Sequence, residues 1–227
     1  AYRSFISRLQ EVEVLRREAA RRERSDQVGN INEIRAMCRG SIVLLSSHVE
    51  AFVKELGEVA LEAFFVQKVP MSKFPLSLFY HISKDIFEEI SSTDNAEKVS
   101  EKIFSFMYSD SSFWSRSGEF PNQIPADRFN RGFSNPAFKK IKSYFGRFGY
   151  SSYKGDLDKI MKANALPAIN MLNHLVDTRN NIAHGDPLAT KTPGEIRDMV
   201  DLVSLYCRAT DDAFATWCRS EFCSMRS

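Results

Sequence analysis

One apolar stripe constrains the fold of this chain more than any other feature. Ile34, Cys38, Ser41, Leu45, Val49, Phe52, Leu56 and Val59 recur at intervals of three and four residues, the repeat that lines one face of an α-helix. The pattern predicts a long helix from Ile31 to about Val66, with Pro70 and Pro75 at or beyond its end. A stripe of this length has to be covered by other elements, and the rest of the sequence offers only helices to cover it.

Before it, residues 1–28 read as a charged helical segment with Phe5, Leu9, Val12 and either Leu15 or Arg16 along one side. Its cluster from Arg16 to Arg24 is expected to be a solvated face supported by neighbouring glutamates. Shorter helices are expected at Ser77–Ile90 and Ala96–Tyr108, the second capped by Asp94 or Thr93. Residues Ser109 to Asn135 are broken by Gly118, Pro121, Pro125 and Gly132. Asn135-Pro136 then opens a basic helix, with Pro136 suited to its first turn. That helix sets Phe138, Ile141, Tyr144, Phe145 and Phe148 against Lys139, Lys140, Lys142 and Arg147. Another short helix begins over Asp156–Ile160.

Leu166-Pro167 opens a helix with Ile169, Leu172, Val176 and Arg179 or Asn180 on one face, and Gly185 is placed to stop it in a left-handed cap. Thr192 and Glu195 have capping-box spacing ahead of a last long helix. No period-two alternation is sustained anywhere. The expected fold class is all-α: a helical bundle forming a single domain over residues 1–227, with residues 109–155 as an irregular basic-aromatic insertion.

Composition narrows the function classes. A hydrophobic content of 43% supplies a core, and no apolar run approaches the ~18 residues that cross a bilayer. No secretory signal is read at the start, so the expected location is cytoplasmic, without a membrane partner. The four cysteines, Cys38, Cys207, Cys218 and Cys223, lack the pairing and histidine spacing of zinc sites, so neither metal nor cofactor is expected. Net charge is only +2, yet Phe113 to Lys154 carries eight basic residues against two acidic ones and 11 of the 27 aromatics. Aromatic faces stack unpaired bases and cations track phosphates. Arg116, Arg128, Arg131, Lys139, Lys140 and Lys142 are therefore candidate RNA contacts, while Phe138, Tyr144, Phe145 and Phe148 are expected in the core.

The chemistry concentrates at Thr178-Arg179-Asn180-Asn181-Ile182-Ala183-His184-Gly185. Cleaving RNA without a metal requires removal of the 2′-hydroxyl proton, stabilisation of charge on the phosphorus oxygens, and protonation of the departing 5′-oxygen. Histidine exchanges protons near neutral pH, and arginine grips phosphate with a permanent charge. Neither His48, His81 nor His174 has an arginine five to seven residues before it. On a regular helix Arg179 and His184 would point about 140° apart. Either the helix ends before His184 and the imidazole swings round, which Gly185 supports, or the two groups serve different halves of a composite site. A structural reading also stands: a histidine in a last turn meets the negative end of the helix dipole, and Arg179 has Asp177 and Asp186 as nearby partners.

The run Ser41-Ile-Val-Leu-Leu-Ser-Ser-His48-Val-Glu50-Ala-Phe52 resembles the opening helix of HEPN-domain proteins. Asn135-Pro-Ala-Phe138, Phe145-Gly-Arg-Phe-Gly149, Leu172-Asn-His-Leu-Val176 and Arg179-Asn-Asn-Ile-Ala-His184-Gly are similar to the standalone ribonuclease branch of that superfamily, the RiboL-PSP-like group. The resemblance implies a metal-independent endoribonuclease leaving 2′,3′-cyclic phosphate and 5′-hydroxyl ends, of the toxin or phage-defence type. It implies a homodimer acting on RNA, with an antitoxin or defence-system partner in some members. Carried onto this chain, Arg179 and His184 form the catalytic pair and Asn180 orients them, with Asn181 and Glu50 in support. The alternative is a non-catalytic HEPN module that binds RNA, nucleotide or a partner protein.

Overall fold

The computed structural model describes residues 1–225, and no strand occurs among them. Ten α-helices follow in order: α1 (Tyr2–Asp26), α2 (Ile31–Val66), α3 (Leu76–Ser91), α4 (Ala96–Ser109), α5 (Ser111–Trp114), α6 (Ala126–Asn130), α7 (Phe138–Gly146), α8 (Tyr153–Met161), α9 (Ala165–Ala183) and α10 (Pro193–Glu221). The long striped helix spans the residues its periodicity marks. Thr192 and Glu195 form the expected capping box at α10: Thr192 Oγ1 accepts the Glu195 N–H at 3.2 Å, and Glu195 Oε2 accepts the Thr192 N–H at 2.8 Å.

Two local expectations are corrected. Asn95, not Asp94 or Thr93, caps α4, its Oδ1 accepting the Lys98 N–H at 3.0 Å. Pro136 precedes α7 rather than occupying its first turn, because Asn135 is left-handed (φ 54°) and the chain needs two more residues before helical bonding starts. The first free N–H of α7, that of Phe138, is accepted at 3.0 Å by Asn173 Oδ1 on α9.

The residues form two compact units, the first comprising Ala1–Leu56, Phe133–Lys142 and Tyr153–Ala213, the second Gly57–Gly132, Ser143–Ser152 and Phe214–Ser227. In the first, α1 lays Phe5, Leu9, Val12 and Ala19 inward, and Phe5 meets Phe52 with ring centroids 5.6 Å apart. Its outer face is a ladder of local pairs, Arg16 and Arg17 on Glu13, Arg21 and Arg22 on Glu18, as expected of a solvated face. Deeper in, Tyr153 Oη lies 2.6 Å from Tyr206 Oη and 2.9 Å from Thr210 Oγ1, so three buried hydroxyls satisfy one another where water is excluded.

The second unit is built on aromatic rings. Phe74 stacks on Phe222 at 4.5 Å, and Phe129 meets Phe148 at the same distance. Tyr144 packs against the bare face of Gly57, where an added Cβ would fall 2.0 Å from the phenol oxygen. Arg147, grouped with the exposed lysines by periodicity, is instead buried. α7 ends at Gly146, and the turn that follows points Arg147 inward. There it donates to the Phe129 carbonyl and sits over the Phe129 and Tyr144 rings at 5.6 and 5.1 Å. Tyr144, Phe145 and Phe148 are core, as expected, while Phe138 is half-buried.

Candidate active site

α9 carries the site because its apolar residues bury one side and its last turn is left to polar residues. Ala165, Ala168, Ile169, Leu172, Leu175, Val176 and Thr178 are covered, which leaves Arg179 and Asn180 half-buried and Asn181 and His184 exposed. The helix then stops as a Schellman turn. Gly185 (φ 82°) donates to the Ile182 carbonyl at 3.1 Å, and Asp186 donates to the Asn181 carbonyl at 3.0 Å. Only a residue at ease with positive φ closes this turn without strain, and glycine is the default.

His184 is the cap residue (φ −81°, ψ 4°), and its backbone N–H still bonds the Asn180 carbonyl at 2.9 Å. The register therefore persists as far as His184. Helical bonding does not end before His184, and a helical register over five residues sets the Cα–Cβ directions of Arg179 and His184 about 140° apart. The residue is exposed, and among the described residues its imidazole has no hydrogen bond or ion pair.

Arg179 has acquired neutral partners. Its Nη1 donates to Asn135 Oδ1 at 3.3 Å and to Asn180 Oδ1 at 3.2 Å. Neither Asp177 nor Asp186 pairs with it; Asp186 uses Oδ1 to accept the Leu188 N–H at 2.8 Å. Amide oxygens orient a guanidinium without cancelling its charge, and Nη2 and Nε remain as a free donor edge. Asn180 touches both halves of the site, Arg179 through its side chain and His184 through its carbonyl. Asn181 contributes its carbonyl to the turn.

Glu50 on α2 enters one step removed. Its Oε2 accepts the Asn135 N–H at 3.3 Å, and its Oε1 accepts from Lys54 Nζ at 2.7 Å. The carboxylate thus fixes the backbone of the residue that holds Arg179. Arg39, also on α2, fastens the loop after His184, donating through Nη1 to the Asp186 carbonyl at 2.7 Å and the Ala189 carbonyl at 3.3 Å. Sequence reasoning missed Asn135 and Arg39, whose partners are distant in the chain, and Lys54, whose partner Glu50 lies one turn before it on α2. Asn135 carried two signals, its place ahead of a proline, which marks a turn, and the Asn135-Pro-Ala-Phe138 run that resembles the family, and neither marked it as a partner of Arg179.

The six candidate RNA contacts separate into two groups. Lys139, Lys140 and Lys142 lie exposed on α7, in the same unit as the site, and none is in an ion pair among the described residues. Arg116, Arg128 and Arg131 belong to the other unit, and each is engaged structurally. Arg116 Nη2 donates to the Ser72 and Phe74 carbonyls at 2.9 and 3.0 Å. Arg128 pairs with the buried Asp110 at 2.6 Å, and Arg131 pairs with Asp85. No group of three or more histidine, cysteine or acidic side chains is arranged to hold a metal among the described residues. No described helix is long and apolar enough to cross a membrane.

An all-α chain with an arginine and a histidine on the last turn of one inward-packed helix is of the HEPN type. The family model described as RiboL-PSP-HEPN matches residues 3–216, nearly the whole chain, and the protein belongs to that family. No curated protein and no solved structure matches it. Membership points to an RNA-related function.

Proposed function

We propose that this protein is a metal-independent endoribonuclease that cleaves RNA through attack of the 2′-oxygen on the neighbouring phosphorus, leaving 2′,3′-cyclic phosphate and 5′-hydroxyl ends. The observation that carries this reading is the state of Arg179. It is half-buried, held by two neutral amide oxygens and, among the described residues, unpaired with any carboxylate, and it stands five residues before an exposed histidine with no partner among those residues. A guanidinium kept charged and oriented suits the doubly charged phosphorane-like transition state, and a free imidazole suits proton transfer.

One histidine cannot serve both proton transfers in one concerted step, and the helical register sets Arg179 and His184 about 140° apart around α9. The proposal therefore includes a homodimer in which the ends of two α9 helices meet across a two-fold axis. His184 of one copy takes the 2′-hydroxyl proton, and the second copy's equivalent delivers one to the 5′-oxygen. Arg179 neutralises the phosphate oxygens, Asn180 orients it, and Asn181 and Glu50 support the turn and the guanidinium's anchor. Lys139, Lys140 and Lys142 steer the RNA backbone. The toxin or phage-defence role, and a neutralising partner protein, rest on family resemblance, and neighbouring reading frames test the latter.

A single 2′-deoxynucleotide placed at the cleaved position of an RNA oligonucleotide tests the chemistry. The proposal expects cleavage there to stop while binding persists. Continued scission at that position would rule out attack by the 2′-oxygen. RNA binding without any cleavage would favour a non-catalytic binding module instead.

A further inference from the structure

Among the described residues, the one that hydrogen-bonds the Arg179 side chain from outside its own helix is Asn135, in a conformation unusual for a side-chain-bearing residue (φ 54°). Glycine adopts this region at no steric cost, and asparagine is among the few others that tolerate it. Asparagine adds what glycine lacks, an amide oxygen, and that oxygen meets Arg179 Nη1 at 3.3 Å. The turn bearing it is fixed on both sides. Glu50 Oε2 accepts the Asn135 N–H, the Asn135 carbonyl accepts the Ala137 N–H at 2.7 Å, and Asn173 of α9 accepts the Phe138 N–H. Asn173 and Arg179 lie on one helix, so the turn is stapled to α9 at two points.

The charges are arranged with equal care. Glu50, whose carboxylate would neutralise a guanidinium, makes no ion pair with Arg179. One of its oxygens goes to the Asn135 backbone and the other to Lys54. Asn135 thus stands between a carboxylate and the arginine, passing on position without charge.

We infer that Asn135 is a positioning residue for Arg179: its amide oxygen, on a left-handed turn anchored by Glu50, sets the guanidinium so that Nη2 and Nε face the phosphate. The inference rests on the ribonuclease reading of the site. Asn135→Gly deletes the amide while suiting the backbone. It should melt within a few degrees of wild type, lower kcat about tenfold (~1.4 kcal/mol), and leave KM within about twofold. In an Arg179→Ala background the same substitution should do nothing more, because it acts through the missing group. Asn135→Asp keeps the turn but sets a carboxylate against the guanidinium, and should lower kcat with the melting temperature unchanged or raised. It also serves if the glycine variant fails to fold.

A kcat for both variants within twofold of wild type overturns the inference, as does a tenfold loss that persists undiminished without Arg179. A folded wild type that leaves RNA intact overturns the ribonuclease reading and this inference with it. A wild type that cleaves RNA, with Arg179→Ala crippled and both Asn135 variants at full rate, overturns this inference alone.

Discussion

Replacing Arg179 separates its chemical contribution from its structural one. Structurally it makes two hydrogen bonds, of 3.3 and 3.2 Å, to uncharged oxygens from a half-buried position. Well-formed bonds to a charged group contribute about 1.5–3 kcal/mol each, and these contribute less, being long and half-buried, with the freed amides of Asn135 and Asn180 able to rehydrate. Arg179→Ala should therefore cost ~1–2 kcal/mol, a fall of roughly 3–6 °C for a chain of this size. Chemically the loss is far larger. Removing a donor that meets charge only in the transition state costs about two to three orders of magnitude in kcat. Arg179→Lys keeps the charge but cannot hold Asn135 and Asn180 while presenting a planar fork to the phosphate, so its kcat should fall between the two. Single-turnover cleavage of a defined oligonucleotide, with thermal melting of the same preparations, reads both quantities. Arg179→Ala at a rate within about threefold of wild type would refute the assignment. A melting temperature lowered by tens of degrees would show that Arg179 holds the fold together.

A site that takes one histidine from each copy makes activity follow the square of the wild-type fraction, so an equal mixture with His184→Ala, exchanged to equilibrium, should retain about one quarter of full activity; one half would indicate independent sites. Changing Lys139, Lys140 and Lys142 together to alanine should weaken RNA binding and make its salt dependence shallower by about two in the log–log slope; an unchanged slope would place the RNA elsewhere. Burial, then the Arg147 and Lys84 charges, pushes the His81 imidazole down from 6.5 to about 4. Between those values the unfolded chain binds the extra proton, so the stability His81 contributes is complete above pH 6.5 and is lost as pH falls toward 4. Melting temperature should accordingly drop less on acidification in His81→Gln than in wild type, and equal drops would contradict that cause.

Much of the fold was legible because its signals are local. The three-four stripe delimits α2, Gly185 stops α9, and Thr192 with Glu195 opens α10; each depends on residues within a few positions of one another. The basic-aromatic stretch was harder to read. Its charge excess does not distinguish Lys139, which is exposed, from Arg147, which a turn after Gly146 buries beneath two rings. Nor does it reveal that Arg128 finds Asp110 and Arg131 finds Asp85. At the candidate site, Gly185 favoured a helix ending before His184, whereas the helical register survives to His184, whose N–H bonds the Asn180 carbonyl. Asn135 stands 44 residues from Arg179 and Arg39 stands 147 from Asp186. Contacts at such separations are made by packing, and no periodicity encodes them.

The central claim is that Arg179 and His184 cleave RNA by internal transesterification without a metal. Its most direct test incubates folded wild type and His184→Ala with RNA in EDTA and determines the chemistry of the product ends. Cleavage by wild type alone, with cyclic phosphate on one side and 5′-hydroxyl on the other, is the predicted result. Equal cleavage by both proteins, or 5′-phosphate ends, would contradict it.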